Sequence, residues 1–145
     1  MIRKMEEKDL DRVIQIWLEG NLQAHPFINS GYWKSNLRLV REMLPRSQVF
    51  IDEQEGIISG FMGLNGNKIE GLFVNSNFQS KGIGRSLVQL AKSIHNELTL
   101  CAYKKNKKAI AFYNKAGFNV IEQRTEEETQ EEELLMRWKI GRAHV

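Results

Sequence analysis

Apolar residues recur at helical spacing in several stretches of the chain and alternate or run together in short segments elsewhere. Leu10, Val13, Ile14, Trp17 and Leu18 form one stripe behind Asp9, a residue suited to cap a helix. An irregular segment from Asn21 to Ser30 holds His25, Pro26 and Phe27, and a second helix is predicted through Tyr32, Trp33, Leu37, Val40, Met43 and Leu44, ending at Pro45. A short first strand is predicted over Ile2 to Met5, and three more over Val49 to Ile51, Ile57 to Leu64 and Ile69 to Val74. Glu53 to Gly56 and Asn65-Gly66-Asn67 are the turns between them, since Asn and Gly tolerate positive φ.

The polar loop Asn75 to Lys81 leads into a helix over Gly82 to His95, with Ile83, Leu87, Leu90, Ala91 and Ile94 on one face. A strand follows over Glu97 to Ala102, then a helix over Lys107 to Ala116 with Gly117 as its C-cap. Phe118 to Gln123 and Leu134 to Trp138 close the chain as two strands around an acidic turn, Glu126 to Glu133. Strands linked through helices predict helices packed on a sheet, an α/β or α+β architecture. No repeat or linker divides the 145 residues, so one domain is expected over 1–140, with 141–145 as a tail.

Composition narrows the function classes. No apolar run approaches the ~20 residues of a membrane helix, and Met1 to Glu6 lacks the apolar stretch of a signal peptide, so a cytoplasmic protein is expected. One cysteine, Cys101, excludes an internal disulfide and reads as a small buried residue. A net charge of +3 is not a nucleic-acid signature, and no basic stripe with interleaved aromatics is present. Local clusters, Lys81 with Arg85 and Lys104, Lys105, Lys107 and Lys108, suit a small phosphorylated ligand or a solvated face.

Gln79-Ser80-Lys81-Gly82-Ile83-Gly84 leaves a strand and opens a helix. Glycines let the backbone approach a ligand, and a helix N-terminus offers free N–H donors, so the segment can cradle a pyrophosphate or serve as a plain loop. It lacks the spacing of a P-loop, and Leu87 stands where a dinucleotide fingerprint has its third glycine. Ala109, Phe112, Tyr113 and Ala116 share one sector of the later helix.

Gly71-Leu72-Phe73-Val74, then Gln-x-x-Gly-x-Gly, then Asn106 with Ala109-Ile110-Ala111-Phe112-Tyr113 and Gly117-Phe118 resemble the GNAT superfamily of N-acetyltransferases over nearly the whole chain. Trp17, His25-Pro26-Phe27-Ile28 and Tyr32-Trp33 resemble its small bacterial YjaB/YiaC-type branch. The resemblance implies a mixed, mostly antiparallel central sheet with a splayed strand pair, flanked by about four helices. It implies acetyl-CoA as acyl donor, an amine acceptor and no metal. Leu72, Phe73 and Val74 would pair with the pantetheine arm. Gln79, Ser80, Lys81, Gly82, Ile83, Gly84 and Arg85 would hold the pyrophosphate, with Asn106 and Phe112 on the arm. Tyr113 would protonate the leaving thiolate, and a main-chain N–H of this strand, that of Phe73, would stabilise the oxyanion. Glu70 is the candidate base, with His25 its rival. Strand alternation puts Glu70 on one side with Leu72 and Val74. Trp17, His25, Phe27, Tyr32 and Trp33 would line the acceptor site, and the acidic turn is either an attractor for a cationic acceptor or a solvated loop. Two alternatives stay open: an acyl-CoA-binding sensor on the same scaffold, and a transferase for another acyl-CoA. A monomer or a homodimer is compatible with the sequence.

Overall fold

The computed structural model describes residues 1–141, and of the tail expected over 141–145 all but Gly141 lies outside the described residues. The strands are β1 (Ile2–Lys4), β2 (Gln48–Gln54), β3 (Ile57–Asn65), β4 (Lys68–Val74), β5 (Glu97–Tyr103), β6 (Asn119–Thr125) and β7 (Glu132–Lys139). The helices are α1 (Leu10–Ala24), α2 (Ser30–Ser35), α3 (Leu37–Met43), α4 (Ile83–Ile94) and α5 (Lys107–Lys115). All strands join one sheet in the order β1-β2-β3-β4-β5-β7-β6, antiparallel throughout except for the parallel pair β4–β5. The mixed, mostly antiparallel sheet is the one the family resemblance implies.

Among the described residues five α-helices stand where about four are expected, because the second one breaks at Asn36. Asn36 Nδ2 donates to the Tyr32 carbonyl at 2.7 Å, and its main-chain N–H closes a tighter turn onto Trp33 at 3.1 Å. An asparagine side chain thus replaces a helical hydrogen bond and redirects the chain. Asp9 also differs from expectation. It does not cap α1; its carboxylate accepts from the Glu6 N–H at 2.8 Å and pairs through two bonds with the Arg3 guanidinium, at 2.8 and 3.1 Å. That pairing holds the Asp9 carboxyl below its ordinary pKa and fastens β1 to the start of α1.

The sheet is buried on both faces, so its inner strands alternate between two apolar layers. Val49, Ile51 and Phe61 pack on Val13, Ile14 and Ile16 of α1 and on Leu44. Phe50, Met62, Leu64, Leu98, Leu100 and Met136 pack on Leu87, Val88 and Ala91 of α4 and on Tyr113 of α5. The β2–β3 hairpin turns on Glu55 and Gly56, both at positive φ, and the β3–β4 hairpin on Asn65 to Lys68 with Gly66 at φ 57°. β6 lies at the sheet edge with every residue exposed, whereas Phe118 just before it is buried.

Two features of this scaffold shape the site. Backbone pairing of β4 with β5 is confined to Lys68–Thr99 and Ile69–Leu100, after which the strands diverge into a fork. At the same point the register of β3 against β4 shifts, from Leu64–Ile69 to Gly63–Gly71, leaving Glu70 as the extra residue of a β-bulge.

Candidate active site

The bulge decides which groups face the fork. From Gly71 to Asn75 the register against β3 is unbroken, and the Asn75 N–H donates to the Ser59 carbonyl at 2.7 Å. Antiparallel pairs exchange hydrogen bonds at every second residue, so Phe73 is bonded to Phe61 and turned away from the fork. The intervening residues, Leu72 and Val74, aim their N–H and C=O groups at the gap opposite β5. The Val74 carbonyl is indeed free of β3 and accepts from Gln79 Nε2 at 3.0 Å. The expectation that the Phe73 N–H supplies the oxyanion donor is thereby corrected: Phe73 is committed to β3, and its ring lies in the other layer against Phe61 at 5.6 Å.

The bulge also breaks the alternation expected around Glu70. Ile69, Leu72 and Val74 share the apolar layer of α4 and α5, while Glu70 is exposed and stands 3.7 Å from Lys68. It is the first residue of β4 beyond the last pair with β5 and marks the apex of the fork.

The loop into α4 ends beside the open strand. Ser80 and Gly82 both have positive φ, 66° and 81°, and turn main-chain N–H groups to one side ahead of the first helical turn. A Cβ on Gly84 would lie 3.4 Å from Phe112 and 3.8 Å from Val74, so the start of α4, the end of β4 and α5 converge on a glycine. The main-chain donors at the head of α4, adjoining an extended strand edge, fit a pyrophosphate carried on a narrow arm. Lys81 lies over the Phe78 ring at 5.5 Å, and Arg85 is exposed on the first turn. The Ile83 side chain belongs to the core, which leaves only its main chain for a ligand. Lys108 reaches Gln79 Oε1 at 3.5 Å and adds a cation to this rim.

Tyr113 owes its position to the end of α5. The Gly117 N–H donates to Asn114 at 3.0 Å and the Phe118 N–H to Tyr113 at 2.9 Å, with Gly117 at φ 96°. This is a Schellman cap, and its customary apolar contact is the Tyr113–Phe118 ring pair at 5.6 Å. Lys92 of α4 donates to the Ala116 carbonyl and covers the last turn. Tyr113 is 8% exposed, and burial alone raises its pKa well above the ordinary phenol value, so it stays protonated near neutrality.

The five residues expected on the acceptor side come together. Trp33 meets Trp17 at 5.9 Å, Tyr32 at 4.9 Å and the His25 ring, nearly stacked, at 5.4 Å. Phe27 closes on His25 at 5.7 Å. Tyr103, not among the residues expected here, completes the cluster, 5.0 Å from His25 and 5.8 Å from Phe27. Its signal was an aromatic residue at the C-terminal end of a strand, where sites in open α/β sheets gather. The acidic turn is not freely solvated: Tyr32 Oη donates to Glu128 at 2.8 Å, Tyr103 Oη to Glu126 at 2.7 Å, and Lys105 pairs with Glu131 at 3.1 Å. Burial, reinforced by these carboxylates, keeps both phenols neutral. A small depression is lined by Ile16, Glu19, Gly20 and Gln23 of α1 with Val74 to Ser76 at the end of β4.

His25 does not present a free base. It is buried, its pKa is lowered to about 4 by desolvation, and its Nε2 lies 3.2 Å from Asn106 Nδ2. Asn106 Oδ1 in turn caps α5 by accepting from the Ala109 N–H at 3.2 Å. Cys101 is half-buried, with Arg124 donating to its sulfur at 3.3 Å and burial raising the thiol pKa.

A strand edge left open beside a helix N-terminus can take an extended ligand that ends in phosphate, and known proteins place the chain among the acyltransferases. Residues 45–120, more than half of it, match the acetyltransferase (GNAT) domain, and the chain belongs to the GNAT family, with acetyl-CoA as acyl donor. It is 33% identical over 142 residues to the peptidyl-lysine N-acetyltransferase YiaC of Escherichia coli, covering 97% of each protein. Among solved structures it is similar to apo YjaB from Escherichia coli, with a TM-score of 0.86, 27% identity and coverage of 97% of this chain and 98% of that one. The fold is shared with yncA of Salmonella typhimurium in its acetyl-CoA complex, with a TM-score of 0.70, 17% identity and coverage of 100% and 96%.

Proposed function

We propose that this acetyltransferase acts on the ε-amine of lysine side chains in other proteins. The observation that carries this reading is the aromatic cluster of Trp17, His25, Phe27, Tyr32, Trp33 and Tyr103, rimmed by Glu126 and Glu128. Aromatic faces suit the butyl stem of lysine, and carboxylates at the rim suit its ammonium. The likeness to YiaC supports it.

The donor supplies a thioester-bound acetyl group. In this reading Leu72 and Val74 pair with the pantetheine arm through their main-chain groups, and Gln79 yields the Val74 carbonyl to it. Ser80 to Arg85, with the head of α4, hold the pyrophosphate, while Asn106 and Phe112 border the arm. Glu70, exposed at the apex, takes the ammonium proton directly or through water; the freed amine forms the N–C bond as the C–S bond breaks. The Leu72 N–H donates to the carbonyl oxygen as it gains charge. Tyr113 gives its proton to the departing sulfur and is reprotonated, through water, by the second proton that the nitrogen sheds as the amide forms. An unpaired Cys101 suits the reducing cytoplasm, the location this reading carries.

The test offers acetyl-CoA with three acceptors: a blocked peptide holding one lysine, a lysine-free peptide with a free N-terminus, and spermidine. Mass spectrometry is expected to find acetyl on the lysine peptide with the highest kcat/KM. Preference for the α-amine or the polyamine would refute the assignment.

A further inference from the structure

His25 and Asn106 belong to opposite sides of the fork, one following α1 and the other capping α5. Both partners are held by the main chain. Asn21 Nδ2 donates to the Trp17 carbonyl at 2.9 Å, which turns Asn21 Oδ1 toward His25 Nδ1 at 3.1 Å. The Ala109 N–H on Asn106 Oδ1 likewise turns Asn106 Nδ2 toward His25 Nε2. One imidazole state satisfies both ends: a proton on Nδ1 and a bare Nε2. The opposite tautomer sets acceptor against bare nitrogen at Asn21 and N–H against N–H at Asn106, and the imidazolium repeats the second clash. The ring itself is fixed by Trp33, Phe27 and Tyr103 at 5.4, 5.7 and 5.0 Å.

The amide nitrogen of Asn106 has two hydrogens, of which His25 takes one. In the sheet, β4 and β5 are joined only at the closed end of the fork. The His25–Asn106 bond ties the two sides again near its open end.

We propose that His25 is a positioning residue: it holds the Asn106 amide so that its second N–H faces the donor channel, and it links the acceptor wall to the donor site. This rests on the fork being the donor site. It assigns to His25 a bond through another residue and no part in proton abstraction.

The test compares the folded wild type with His25→Leu and His25→Gln by calorimetric titration of acetyl-CoA without acceptor, then by steady-state kinetics. A glutamine oxygen reaches about as far as Nε2 and restores an acceptor that cannot titrate. His25→Leu is expected to weaken acetyl-CoA binding and raise its KM by roughly three- to tenfold, the worth of one hydrogen bond, and His25→Gln to recover to within about twofold. A large loss of kcat in both variants with unchanged affinity would make His25 the base and overturn the proposal. Equal loss of Tm in both with unchanged affinity would reduce it to packing. Long-range 15N correlation of the wild-type imidazole, which needs no variant, is expected to show Nδ1–H and a bare Nε2; the opposite tautomer would also overturn it. Failure of the wild type to bind acetyl-CoA would instead remove the donor-site premise, whereas failure to acetylate lysine peptides leaves the titration readable.

Discussion

Replacing Tyr113 with phenylalanine is expected to lower kcat by about 10²- to 10³-fold while leaving acetyl-CoA affinity within about twofold. The change deletes one oxygen and keeps the ring. The contacts with Phe112 at 5.2 Å and Phe118 at 5.6 Å therefore persist, as does the Schellman cap, whose hydrogen bonds go to the main-chain carbonyls of Tyr113 and Asn114. What disappears is a proton held by a phenol whose pKa burial has raised. A neutral donor is what a thiolate leaving group needs, and such proton transfer contributes on this scale. Steady-state kinetics and calorimetry on the two proteins read the split directly. A kcat within threefold of wild type would remove Tyr113 from the chemistry.

Gly60→Ala should damage the donor site from the neighbouring strand. A Cβ there would lie 2.6 Å from the Phe73 carbonyl oxygen and 3.2 Å from the Val74 Cα. Both are main-chain atoms of β4, which cannot rotate aside, so the strand must move. The expected cost is about 1–3 kcal/mol in urea unfolding, together with at least a roughly tenfold loss of acetyl-CoA affinity as the Leu72–Val74 edge shifts. Gly63 of the same strand is the control, since a Cβ there meets nothing within 4 Å. Gly63→Ala is expected to stay within about 1 kcal/mol of wild type and to bind the donor normally. Equal behaviour of the two variants would refute the role given to the close approach at Gly60.

The sequence made the ends of α4 and α5 readable because each carries its own punctuation: Gly82 at φ 81° before one and Gly117 at φ 96° after the other. The hairpins at Gly56 and Gly66 were legible for the same reason. The break at Asn36 was not, since an asparagine within an apolar helical stripe signals only a modest penalty, and the replacement bond to Tyr32 depends on the local geometry. Asp9 had the right residue type for a cap, but Arg3 and the Glu6 N–H competed for it successfully. The bulge at Glu70 was hidden because alternation assumes an unbroken register. That one extra residue moves Glu70 out of line with Leu72 and assigns the free N–H groups to Leu72 and Val74 rather than Phe73. The aromatic residues were legible one by one but not as a cluster, since Tyr103 and the acidic turn reach it from the far half of the sheet.

Acetyl-CoA is expected to enter the fork between β4 and β5 and to complete the open edge of β4. The most direct measurement follows backbone amide resonances as acetyl-CoA is titrated. Saturable downfield shifts of the Leu72 and Val74 amides are expected, with changes at Ile83, Gly84 and Asn106 and a smaller response at Phe73. Binding that leaves Leu72 and Val74 unmoved, or that perturbs instead the distant groove lined by Met5, Leu10, Pro45 and Val49, would contradict it.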